Sequence, residues 1–335
     1  MSLILSVAAA TQLCTGCDVS FEVVDTLGAS DDPAGVGMIA DVLRTGDQGY
    51  LVSSEALGGT VIIYDTAGRY KRELTRQGDG PGELRGPPKF ALGTGGIVLH
   101  ERFAPDLHLF SGNLDFRKTI RLPGAGGSVR ADPATGGWLA SYTFGGAGAD
   151  AGVLLLDQSG DVIRTMKPSA ESSSLNGPTG DIIRDADGRI WIASVMGMLE
   201  AFDQDLGLLG SIQLELPGMD AWDPSTGPAA PPAMVTDIHL APDGSGIWVF
   251  ALAPVISPNE LRNQRSVPPA VEQVFDSFVY SVALDSEGLS LVGTDRFDTL
   301  VRPLRDGELA FDMVDTPGGD RRVRVGRLRL TGPGR

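Results

Sequence analysis

The constraint that narrows this chain most is a spacing. Five apolar runs end in an aromatic residue or leucine, then Asp or Ser, then a glycine-bearing turn: VIIYDTAG, LHLFSGN, VLLLDQSG, LEAFDQDLG and SVALDSEG. The residues at the stop are Asp65, Ser111, Asp157, Asp203 and Asp285. The first three intervals are 46 residues each, and the last is 82, one period lengthened by 36 residues. One further period from Asp285 reaches Thr331, in LRLTGPG. Six equivalent turns with one insertion therefore span the chain. A period of this length marks a repeat architecture, in which a unit buries its apolar face only by stacking on its neighbours.

Each unit holds about four short strands. In the first they are roughly Met38–Leu43, Tyr50–Glu55, Thr60–Tyr64 and Tyr70–Thr75, parted by the turns RTGDQG, LGG and DTAG. Edge strands alternate apolar and polar, while middle strands are apolar throughout, the pattern of stacked antiparallel sheets with short hairpins. The expected fold is all-β: a six-bladed β-propeller of four-stranded antiparallel blades over residues 18–335. The last unit ends at its third strand, RVRVGRLRLT. The segment SFEVVDTLG, Ser20 to Gly28, stands before the first unit and supplies the missing fourth. The ring is thus expected to close through the N-terminal strand. Gly326, between Val325 and Leu328, interrupts the alternation and predicts a bulge in the last strand.

Composition agrees with many turns and a monomeric propeller. Glycine is 45 of 335 residues without a Gly-X-Y period, and 42% of residues are hydrophobic, enough for a core. The net charge of −16 opposes binding to phosphate backbones, so nucleic acid is not an expected partner. Arg321, Arg322, Arg324, Arg327 and Arg329 alternate with Val and Leu and read as the solvent face of a strand. The body of the chain holds no cysteine, so no disulfide framework shapes it.

Both cysteines, Cys14 and Cys17, fall in the opening MSLILSVAAATQLCTGC. Small residues, Thr15 and Gly16, precede Cys17. The stretch resembles a bacterial lipoprotein signal peptide, which implies export, lipid attachment at Cys17 and a periplasmic or cell-envelope location. Cys14 stands where that family usually has leucine, and no basic residue precedes the apolar run. Residues 1–17 are taken as the signal segment.

The stretch RQGDGPGELRGPPKFAL joins the first unit to the second. Gly78, Gly80, Gly82 and Pro87 or Pro88 resemble the inter-blade segment of NHL-repeat propellers, which implies the same six-bladed ring. A phosphate-cradling loop is excluded, because Gly82 leads to Glu83 and Leu84 where Gly-Lys-Ser/Thr and a helix are needed.

Four unusual segments are expected on the face that rims the central channel. They are Arg76–Pro88, the Ser-rich KPSAESSSLNGPTG, the Pro-rich PGMDAWDPSTGPAAPPAM, and a fifth-blade insert over residues 253–277. Long loops on a rigid scaffold often carry binding. The candidate ligand-binding residues are Arg76, Asp79, Glu83, Asp181, Trp222, Asp237 and His239. Trp222 lies between two acids and suits a sugar or a cationic group. His239 shares a first strand, and so the channel wall, with Asp237. Trp138, Trp191 and Trp248 recur near second-strand starts and are expected in the core. No zinc-type cluster of His and Glu is present, and no serine nucleophile stands in a strand-to-helix turn.

The expected function is binding of a small molecule, glycan or envelope protein on the loop-rich face, without catalysis and without a cofactor. Two alternatives remain. One is a structural envelope-assembly module. The other is a lactonase- or lyase-type enzyme, since propeller lactonases resemble this fold and hold a divalent ion with Glu, Asn and Asp. Calcium would then draw on Glu83, Asp181, Asp237 and the Asn residues Asn176, Asn259 and Asn263.

Overall fold

The computed structural model describes residues 18–28, 39–46, 49–54, 58–101, 104–143, 152–167, 179–219, 233–241, 246–254, 275–286, 288–297, 301–304, 309–315 and 321–331. Among them, 24 strands form six four-stranded antiparallel sheets. The chain opens with β1 (Asp18–Leu27). The first sheet follows as β2 (Ile39–Arg44), β3 (Tyr50–Ser54), β4 (Val61–Tyr64) and β5 (Tyr70–Thr75). The second is β6 (Pro88–Gly93), β7 (Gly96–Glu101), β8 (Asp106–Phe110) and β9 (Phe116–Arg121). The third is β10 (Ala125–Ala131), β11 (Trp138–Thr143), β12 (Gly152–Leu156) and β13 (Val162–Met166). The fourth is β14 (Thr179–Arg184), β15 (Ile190–Ser194), β16 (Met198–Phe202) and β17 (Leu208–Gln213). The fifth is β18 (Met234–Leu240), β19 (Ile247–Pro254), β20 (Phe275–Asp285) and β21 (Gly288–Phe297). The closing sheet has the order β1, β24 (Arg321–Thr331), β23 (Leu309–Asp315), β22 (Val301–Pro303). The chain is a β-propeller with four-stranded antiparallel blades.

Burial explains the sequence pattern. The second and third strands are covered on both faces, so β3, β4, β12 and β15 are buried throughout. The outer strands β5 and β13 are mostly exposed and carry the charges. Apolar side chains fill each seam between neighbours. Leu43, Leu51 and Ile63 of the first sheet pack with Phe90, Leu99 and Phe110 of the second. Leu27, Val323 and Val325 of the closing sheet pack with Val42, Tyr50 and Ile62 of the first. Trp138, Trp191 and Trp248 are all buried, as expected.

The 46-residue period has a local cause. At the third-to-fourth-strand turns of the first four sheets one oxygen accepts two backbone N–H groups. Asp65 Oδ1 takes those of Ala67 (2.9 Å) and Arg69 (3.0 Å), and Asp157 Oδ1 those of Ser159 (2.8 Å) and Asp161 (2.9 Å). Asp203 Oδ1 takes those of Asp205 and Gly207, and Ser111 Oγ those of Asn113 and Asp115. Backbone hydrogen bonds, first among the causes, hold the Asp65 and Asp157 carboxyls below the ordinary aspartate value. Three residues past the cap the backbone turns left-handed, at Gly68 (φ 72°), Leu114 (φ 67°), Gly160 (φ 79°) and Leu206 (φ 63°). The turn geometry is kept even where leucine must adopt a conformation that suits glycine.

Closure also follows the sequence reading. β1 pairs antiparallel with β24 from Asp18↔Thr331 to Leu27↔Val323. The bulge is real but sits on the other strand. The extra residue falls between Val23 and Asp25, opposite Gly326 and Val325, while the pairing of β24 with β23 is regular. In β24, Val323 and Val325 are buried and Arg327 is exposed, the face assignment expected. The fifth-sheet insert is narrower than expected. Ala253 and Pro254 pair with Asp276 and Phe275 as the ends of β19 and β20. Residues 255–274, the signal segment 1–17 with Cys17, and Trp222 lie outside the described residues.

Candidate functional site

The first strands of successive sheets pack against one another and surround the axis of the ring. A short pattern recurs on three of them: Ala-Asp-Val in β2, Gly-Asp-Ile in β14 and Thr-Asp-Ile in β18. A register shift precedes each aspartate, at Ile39/Asp41, Thr179/Asp181 and Val235/Asp237. The irregularity frees backbone N–H groups, and the carboxylate collects them. Asp41 accepts from Val42 N (3.0 Å) and from Phe90 N of the next sheet (2.8 Å). Asp181 likewise accepts from Ile182 N and from Ile238 N of the next sheet, both at 2.9 Å. Asp41 and Asp181 each tie one innermost strand to the next.

Cations complete this centre. Arg130 of β10 donates through Nε to both Asp181 oxygens (3.1 and 3.0 Å), and its Nη2 donates to Asp181 Oδ2 and to Ile238 O (2.9 Å). Ser128 Oγ donates to Asp181 Oδ1. Arg130 Nη2 also stands 3.7 Å from Asp237 Oδ1. Lys89 Nζ, on the second sheet, donates to Asp237 Oδ1 and to Thr236 O on the fifth, each at 3.0 Å. The Lys89–Asp237 pair therefore bridges strands three sheets apart along the chain, across the axis. The side chains of Asp181, Asp237 and Arg130 are 0%, 3% and 6% exposed. A second buried pair, Arg184 with Asp132, lies one step along the same two strands (3.1 and 3.0 Å).

This geometry assigns the sequence-derived acids. Asp181 and Asp237 do meet, but around Arg130 and Lys89. A divalent cation at this point would face two ammonium- and guanidinium-type charges already seated on its ligands. Among the described residues no group of three or more His, Cys, Asp or Glu side chains is placed to hold a metal ion. His239 stands two residues beyond Asp237 on β18, in register with Trp248. Lys89, Arg130 and Asp41 were missed as channel residues. The recurring apolar–Asp–Val/Ile pattern was the available signal for Asp41, but cross-axis pairing has no sequence signature.

Arg76 and Glu83 meet elsewhere than expected. They do not rim the channel but line a groove of about 490 Å³ at the seam of the first two sheets. One wall is the outer strand β5 from Arg72 to Thr75, continuing to Arg76, and the other is Pro81–Glu83. The floor comes from the next sheet: Phe110, Leu114, Asp115 and Phe116. Phe110 and Phe116 stack edge to face, with centroids 5.6 Å apart. The connecting loop is folded back on itself. Leu84 N donates to Arg76 O (3.1 Å), Gly78 N to Leu84 O (2.9 Å), and Gly80 N to Glu83 Oε2 (2.9 Å). Leu84 is fully buried between the two sheets. Gly82 takes φ 76°, and a Cβ there would stand 3.1 Å from the Phe116 ring, so a side chain would be crowded as well as strained. Asp79 pairs with Arg85, both exposed.

Behind the floor, Glu101 holds the end of the loop. Its Oε1 accepts Arg85 N (2.7 Å) and Gly86 N (2.6 Å), and its Oε2 lies 3.9 Å from His108 Nε2. His108 Nδ1 is 3.3 Å from Thr119 Oγ1, and its ring is 6.5 Å from Phe116. Burial pushes the His108 pKa below its ordinary value, against the opposing pull of Glu101 and Asp106.

No protein-family model matches the chain, and no curated protein matches it. Solved structures do resemble it. A putative exported protein from Bacteroides fragilis has a TM-score of 0.57 at 10% identity, covering 94% of this chain and 95% of its own. A member of the DUF4221 family from Bacteroides vulgatus gives 0.53 at 10% identity, covering 94% and 99%. Hydrazine synthase from Kuenenia stuttgartiensis gives 0.51 at 13% identity, covering 86% and 76%. These likenesses carry the propeller fold alone.

Two outcomes follow from the buried charges. Arg130→Ala leaves Asp181 buried without its cation and is expected to cost about 3–5 kcal/mol, read from urea unfolding. The double change Arg130→Met with Asp181→Asn removes both charges but keeps an acceptor oxygen beside the Ile182 and Ile238 N–H groups; it is expected to cost less than Arg130→Ala, and equal losses would show that the unpaired charge is not what matters. Because His108 has a lowered folded pKa, its stabilising effect is complete above the unfolded value of 6.5. It is lost as pH falls toward the folded value, since the unfolded chain then binds the extra proton. His108→Gln is expected to flatten the stability profile between about pH 5 and 7, and an unchanged profile would contradict this.

Proposed function

We propose that this protein is an exported, lipid-anchored propeller, with its six sheets as the six blades of one ring, that binds a ligand without catalysis. The observation that carries the reading is the groove at the first seam. It has charged walls, an aromatic floor, and a volume in the range of about 300–1,000 Å³ typical of small-molecule sites. The loop that shapes it is the Gly78–Pro88 stretch on which the NHL likeness rests. The channel supports a structural reading instead, because its acids are neutralised from within. Export and anchoring rest on the start of the chain, with Cys17 as the attachment point, and are in keeping with the Bacteroides fragilis protein of the same fold described as a putative exported protein. An envelope location makes a small molecule, glycan or envelope protein the relevant class of ligand.

The binding reading is tested by thermal-shift screening of the intact chain against small acids, sugars and short peptides. A ligand at about 100 times Kd adds roughly 2.7 kcal/mol and should raise the midpoint by a few degrees. Hits are expected to weaken at least about tenfold in Arg76→Glu, a change of roughly 1.4 kcal/mol. Hits that bind Arg76→Glu unchanged would place binding elsewhere. For anchoring, growth with a labelled fatty acid should mark the wild-type chain and not Cys17→Ser. An unlabelled wild-type chain would end that part of the proposal.

A further inference from the structure

The repeat shows what the first seam lacks. Residues 46 apart occupy equivalent places, so Arg72, Lys118 and Arg164 stand at one position on successive outer strands. In the next two seams that cation reaches the following sheet's turn. Lys118 Nζ pairs with Asp161 at 2.8 Å, and Arg164 Nη2 with Asp205 at 2.7 Å. At the first seam the corresponding residues are Arg72 and Asp115, the latter 46 residues before Asp161. They form no ion pair with one another, and both line the groove. The Arg72 guanidinium donates instead to the backbone of Glu73 (Nη1 to Glu73 O, 3.1 Å). The folded-back loop adds a second cation, Arg76, whose equivalents 46 and 92 residues on are Leu122 and Pro168. Thus the seam with this groove has an unjoined cation and anion lining the same space, and a supplementary arginine.

Resting on the binding reading above, we propose that the groove takes a short peptide with both termini free, whose two charges replace the missing ion pair. The carboxylate meets Arg72 and Arg76, the ammonium meets Asp115, and apolar side chains lie over Phe116. Glu83 is less available to the ammonium because Gly80 N already uses its Oε2. A groove of about 490 Å³ has room for a peptide of about two to four residues.

The test is calorimetric titration of the full chain with Ala-Leu-Ala, its N-acetyl form and its C-terminal amide. The free peptide is expected to bind at least about tenfold more tightly than either blocked form, the scale of one charge-assisted contact. Asp115→Asn should remove the preference over the acetylated peptide. The double change Arg72→Ala with Arg76→Ala should remove the preference over the amide. These side chains line an open groove, and unchanged thermal midpoints will show that the variants fold. Blocked peptides that bind as well as the free one, and lose affinity in Arg76→Glu, would overturn the peptide proposal and leave the groove reading intact. Failure of all three peptides to bind would overturn the proposal, with the library screen still deciding whether the groove binds anything.

Discussion

The antiparallel pairing of the first described strand with the last is the contact on which the other sheets depend. A sheet in this architecture covers its faces with its two neighbours, so an open ring would expose one face at each end and an unpaired edge. β1 adds the fourth strand to a sheet otherwise made from the far end of the chain. It also places Leu27 among Val323, Val325 and Val42, inside the seam between the closing and first sheets. Once that seam is filled, each sheet has two neighbours, and the innermost strands are held around one axis.

That closed geometry explains why a deeply buried point beside the axis is charged. The aspartates beside the inner-strand irregularities satisfy backbone N–H groups that no ladder reaches, which makes a carboxylate more suitable there than a hydrocarbon. A buried carboxylate then needs a counter-charge. Arg130 supplies it from the preceding sheet, and Lys89 supplies it from across the axis. Such a centre adds little net stability compared with apolar packing, yet breaking it is costly. The charge of Asp181 and Asp237 is met from within the protein, by Arg130 and Lys89.

The outer seams obey a looser rule. Their ion pairs are exposed and individually weak, so the fold tolerates the absence of one. At the first seam a glycine-rich connection folds inward through Leu84, and the charges that would have joined the two sheets are left facing a groove. The ion pairs of the next two seams make this departure visible, and a local departure from a repeated pattern is where a scaffold acquires a site.

Much of the architecture was legible because its causes are local. Capped turns with a left-handed residue three positions on recur every 46 residues, and two-sided burial of the middle strands produces apolar runs; both are written directly in the residues around Asp65, Ser111, Asp157 and Asp203. Closure by residues 20–28 was legible for the same reason, as a strand missing from one end and spare at the other. The sites were legible only in part. Arg76 and Glu83 were recognised as binding candidates but assigned to the channel rim, because the inward fold of their loop depends on the burial of Leu84 between two sheets. Asp181 and Asp237 were recognised as channel acids, but their partners were not. By itself the sequence determined the strands, their turns and the order in which they stack, all matters of neighbouring residues and period. Only the tertiary structure decided which charges meet, because Lys89 and Asp237 are 148 residues apart and nothing in either segment encodes the distance between them until the ring is closed.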